Sequence, residues 1–74
     1  MIPDRETRLD NTEKERLGIP LEKEAVIFEF DKIIEERCDE FDFELEQLGY
    51  TVVSQDMEPA AVSIFNYKVI AYKD

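Results

Sequence analysis

Large apolar residues recur at Ile27, Phe30, Ile34, Cys38, Phe41, Leu45 and Leu48, at spacings of three and four that trace one side of an α-helix. Gly49 follows directly, in the place of a helix terminator. The pattern then changes period. Tyr50–Gln55 is a β-branched run, and Ala61–Tyr72 alternates, with Val62, Ile64, Ile70 and Tyr72 on one face and Phe65, Tyr67 and Val69 on the other. Asp56–Ala60, between them, reads as a loop. A hairpin alone is marginal in water, so the helix must cover one of its faces. The predicted fold is α+β: one long helix packed on an antiparallel β-hairpin.

The beginning of the helix has two readings. Pro20 suits a first helical position, and Glu22 and Glu24 follow where the helix dipole favours acids, so a helix could start there. Ala25–Phe28 is instead β-rich and apolar all round, which suits a strand over 24–30 and a helix running only from Asp31 to Leu48. The helical reading of 21–30 is preferred. Phe41–Glu46 alternates with period two, but Glu, Gln and Leu favour helix there.

Residues 1–19 mix both charge signs, with Leu9 and Leu17 as the apolar anchors after Ile2. They are expected to form a flexible arm ahead of a single domain over 20–74, its first ten or so residues poorly ordered. A short helical turn could be N-capped by Asp10, Asn11 or Thr12 and closed by Gly18.

Charge sharpens the picture of the helix. Of a net charge of −10, −8 falls between Glu22 and Glu46, where eleven acids face three bases. The remaining 49 residues are close to balanced. Such a surface repels nucleic acid and anionic lipid and attracts basic proteins, so direct nucleic-acid binding is not expected. No apolar run reaches the ~20 residues of a membrane span, and the first residues lack a hydrophobic signal region. A cytoplasmic protein is expected.

Candidate chemistry is sparse. Cys38 is the sole cysteine and there is no histidine, which leaves no internal disulfide and no zinc constellation. Asp39, Asp42, Glu44 and Glu46 lack the central glycine of a calcium loop. With no glycine-rich loop, no nucleophile paired to a base, and little room for a cleft in 74 residues, neither an enzyme nor a bound cofactor is expected. So small a chain with no staples, and with apolar groups on both faces of its longer strand, is expected to form a homodimer.

What remains is the carboxylate row with its aromatic neighbours: Glu29, Glu35, Glu36, Asp39, Glu40, Asp42, Phe43, Glu44 and Glu46. Helical residues rise ~1.5 Å each, whereas one DNA strand places a phosphate every ~3.4 Å of axis, so acids two to four positions apart approximate phosphate spacing. In size, charge and this dense acidic element (EERCDEFDFELEQ), the chain resembles the small acidic DNA-mimic proteins with which bacteriophages disable host DNA-binding proteins. That class has no common fold or motif from which residue roles could be transferred. The resemblance implies a basic DNA-binding partner, such as a nucleoid protein of the HU type, met in the host cytoplasm. The alternative is a small acidic adaptor or antitoxin-like regulator that binds its partner through the hydrophobic hairpin, with the acids serving solubility.

Overall fold

A computed structural model describes residues 1–74. The chain is α+β, as its patterning predicts, but it has two helices and four strands where one helix and one hairpin were expected. In order these are β1 (Arg5–Arg8), α1 (Asn11–Leu17), β2 (Ala25–Ile33), α2 (Glu35–Gln47), β3 (Tyr50–Ala61) and β4 (Ile64–Lys73). The strands form one antiparallel sheet in the order β1-β2-β4-β3.

Three expectations are corrected. Residues 21–30 are not helical. Pro20 opens a turn closed by the Lys23 amide on its carbonyl (3.1 Å), and β2 then enters the middle of the sheet. A central strand is covered on both sides, so β2 is apolar on both faces: Val26, Phe28 and Phe30 point toward α2, and Ala25 and Ile27 point away.

Residues 1–19 are not an arm. β1 pairs with β2 from Arg5↔Glu29 to Arg8↔Val26. α1 carries a capping box in which Asp10 accepts from the Glu13 amide at 2.9 Å and Glu13 accepts from the Asp10 amide. It closes on Gly18 in the left-handed region at φ +74°.

The hairpin is also longer than expected. β3 runs through residues 56–60, and the turn lies at Val62–Ser63, with Ser63 at φ +59°. Pro59 is tolerated because β3 is an edge strand, where a missing N–H need not break a ladder.

The main core lies between the sheet and α2. Phe28, Phe30, Tyr67, Val69 and Ala71 rise from the sheet to meet Cys38, Phe41 and Leu45 of the helix. Phe41 sits edge-on to Phe28 (centroids 5.3 Å apart) and to Phe30 (4.7 Å), contacts worth ~0.5–1.5 kcal/mol each beyond their buried area. One extra residue on β2 between Phe30↔Tyr67 and Ile33↔Phe65 forms a bulge containing Lys32 at φ +56°, and it turns Ile33 onto the face of Phe30.

The opposite face of the sheet divides in two. Leu9 and Ile19, at either end of α1, cover Ala25, Ile27, Ile70 and Tyr72. Farther along, the same face is polar, with Arg5, Glu29, Lys68 and Asp56 in adjacent register. The chain therefore covers most of the second apolar face itself.

Candidate functional site: the acidic flank of helix α2

Helix α2 holds seven acids and one base, Arg37. Its position follows from three apolar contacts, Cys38, Phe41 and Leu45, which fix the side that faces the sheet. With ~3.6 residues per turn, the polar residues then divide into three rows. Glu35, Asp39, Asp42 and Glu46, at spacings of four, three and four, share a flank within an arc of about 60°. Glu36, Glu40 and Phe43 point outward, and Phe43 is 61% exposed. Glu44 lies on the other flank, where it accepts from the Met1 ammonium at 3.0 and 3.2 Å.

Asp42 determines which way the first row faces. Its Oδ1 accepts from the Tyr67 hydroxyl at 2.6 Å, and its Oδ2 accepts from the Gln55 side-chain amide at 2.6 Å. The Gln55 amide also donates to the Tyr67 hydroxyl oxygen at 3.2 Å. This triangle ties α2 to β3 and β4 and places the four-acid row on the β3 side of the helix.

The titration behaviour agrees with that placement. Desolvation raises the Asp42 carboxyl above its ordinary range, opposed by the Tyr67 and Gln55 hydrogen bonds and aided by repulsion from Asp39 and Glu46. The Tyr67 hydroxyl is also raised, first by burial and then by its bond to Asp42. Burial, reinforced by Asp42, Asp39 and Glu35, pushes the Cys38 thiol up to about 11.

The expected site residues therefore do not form one surface. Glu35, Asp39 and Glu46 make no ion pair; Glu36, also unpaired, stands outward, and Glu40 lies 3.7 Å from Arg37. Asp42 lies in the row but is engaged by the sheet. Glu29 does not belong to it. It lies on the opposite face of the sheet, 3.5 Å from Arg5, which also donates two 2.9 Å hydrogen bonds to Asp31. Those bonds lower the Asp31 carboxyl and raise the Arg5 guanidinium. The alternation of β2 carries the reason: Phe28 and Phe30 face the helix, so Glu29 between them cannot.

Two features were missed in the sequence. One is the Asp42–Tyr67–Gln55 triangle, whose members are too far apart in the chain for any spacing rule to connect. The other is an apolar groove of about 440 Å³ on the Glu44 side of α2, lined by Phe28, Phe41, Phe43, Leu45, Leu48 and Tyr50 among others. The off-stripe apolar residue Phe43 was the legible sign of it; Leu48, read as the end of the inward stripe, is 60% exposed in the fold.

No three metal-binding side chains converge on a common point; the carboxylates form a row and not a cage. No helix is long and apolar enough to cross a membrane. The fold and site define an α+β domain with a four-stranded antiparallel sheet and one strongly acidic helix. No protein-family model matches the sequence, and comparison with curated proteins and with solved structures finds no similar chain.

Proposed function

We propose that this chain is an acidic protein-binding domain that occupies the DNA-binding surface of a basic protein and competes with DNA for it. The observation that carries the reading is the row Glu35, Asp39, Asp42 and Glu46, none of which meets a basic side chain of its own chain. Its 11 residue-to-residue steps span ~16 Å of helix axis, about the rise of five phosphates along one DNA strand. Like charges three and four positions apart cost a few tenths of a kcal/mol per pair. Solubility alone would be served as well by acids dispersed over the surface.

Steering by such a row speeds association and makes it sensitive to salt. The outward acids Glu36 and Glu40 widen the charged surface, and exposed Phe43 adds short-range apolar contact. Glu29 takes no part, because it faces the other way. A nucleoid protein of the HU type is the partner to test first. Titrating the chain into a fluorescent complex of duplex DNA with that protein should release the DNA. The triple variant Glu35→Gln, Asp39→Asn, Glu46→Gln should release it poorly and with a flatter salt dependence. A ternary complex with no displacement would refute the proposal.

A second reading, an adaptor that binds through apolar surface, draws support from the groove beside Phe43 and Leu48. The hairpin residue Tyr67 cannot serve it, since that side chain is buried. Phe43→Ser with Leu48→Ser abolishing partner binding, while the triple amide variant leaves it intact, would favour the adaptor.

A further inference from the structure

Strand β3 is 12 residues long and pairs only with β4, so the backbone groups along its other side face solvent. From Gln55 to Ala61 every residue is exposed. Edges of this length normally invite another strand and are blunted by charge, proline or bulges. β3 has all three: Asp56 and Glu58, Pro59, and an extra residue at Val53 and at Ala60. Every charge among these devices is negative. The row on α2 lies along the same edge but over the opposite face of the sheet from Asp56 and Glu58, held there by the 2.6 Å bond from Gln55 to Asp42, and has the same sign. An acidic strand is repelled by both, and a second copy of β3 would bring Asp56, Glu58 and its own α2 row against their like. A basic strand meets no such barrier.

We infer that the open edge of β3 takes a fifth strand from a partner protein, an extended segment with Lys or Arg at alternate positions turned toward α2. Alternate residues of a strand stand ~6.8 Å apart, and carboxylates three or four helical positions apart are separated by ~4.5–6 Å along the axis. Successive basic side chains can therefore each reach an acid of the row. The backbone ladder supplies affinity and the alternating charge supplies selection. The inference does not require the partner to be a DNA-binding protein.

The test is an NMR titration of the isotope-labelled full chain with a capped nine-residue peptide of alternating Lys and Thr. A control peptide of the same composition has its lysines in one block, and a second control has Glu in place of Lys. The alternating peptide should slow hydrogen exchange of amides between Ser54 and Glu58, and the Glu peptide should not. The triple variant E35Q, D39N and E46Q should weaken binding by about tenfold at low salt. The Glu control keeps the test decisive even if that variant is poorly folded. Equal protection of β3 by the blocked peptide would overturn the inference, as would shifts confined to the groove beside Phe43. Concentration-dependent protection of β3 without any peptide would also overturn it, because a second copy would then hold the edge.

Discussion

Replacing Tyr67 by Phe removes one of the two hydrogen bonds through which the sheet holds Asp42 of the acidic helix. The hydroxyl belongs to a residue only 3% exposed and donates at 2.6 Å to Asp42, whose carboxylate form it stabilises. A hydrogen bond to a charged group contributes ~1.5–3 kcal/mol, and Gln55 remains to satisfy the other carboxylate oxygen, so a loss near ~2 kcal/mol is expected at pH 7. The loss should depend on pH. Folding raises the Asp42 carboxyl, so its contribution to stability is fully present below the unfolded value and is lost as pH rises through the folded one. Tyr67 opposes that rise by stabilising the carboxylate. Removing the hydroxyl should therefore cost most where Asp42 is ionised and fall to about 0.5–1.5 kcal/mol near pH 3, where the carboxyl is neutral. Urea denaturation of both proteins at the two pH values measures this directly. An equal loss at both, or less than ~0.5 kcal/mol at pH 7, would refute the assignment of Tyr67 as the partner of an ionised Asp42.

Three further outcomes follow from the same geometry. The triple amide variant at Glu35, Asp39 and Glu46 should melt higher than the parent at low salt, by the equivalent of ~0.5–1 kcal/mol, and the gain should vanish at high salt; a lower melting point would show that the row is not repulsive. Gly49→Ala should cost about 1 kcal/mol in chemical denaturation, because Gly49 stands at φ +88° with open space around it, leaving backbone strain as the sole penalty; a neutral result would contradict the left-handed cap. Cys38 is 1% exposed with its thiol raised to about 11, so folded protein should resist thiol reagents at neutral pH and react in urea. Because that thiol is raised, its share of stability is lost as pH climbs from about 9 through 11, and rapid labelling of folded protein at pH 7 would contradict its burial.

The parts legible in the sequence were those where one period held without competition. From Cys38 to Leu45 the stripe belongs to a helix, and from Phe65 to Tyr72 the alternation sorts Phe65, Tyr67 and Val69 from Ile70 and Tyr72 as the sheet does. β2 was misread because burial on both faces erases the alternation that marks a strand. Ile27 and Phe30 also happened to continue the helical spacing, though the chain between them is extended. β1 was hidden for the opposite reason. Its four residues are all exposed, so hydrogen bonding to β2 holds it with no apolar signature. Within the acidic segment the 4, 3, 4 spacing of Glu35, Asp39, Asp42 and Glu46 was visible, but a helical wheel needs a known inward side before a flank can be assigned. Tyr67 and Gln55 supply that reference, and only the folded chain brings them to Asp42.

The bulge at Lys32 bears on how the chain can vary in length. It supplies the one residue of phase that keeps Ile33 in the core, and only Ile34 then separates β2 from the first turn of α2. A single residue removed here would send Ile33 toward the face that carries Arg5 and start the helix about 100° out of step with the sheet. Gly49 plays the same part at the other end of the helix, where it alone connects Leu48 to β3. Insertions and deletions are therefore confined to the turn at Pro20–Lys23 and to the hairpin tip at Val62–Ser63. Between Ala25 and Ala61 the chain can change its letters but hardly its count.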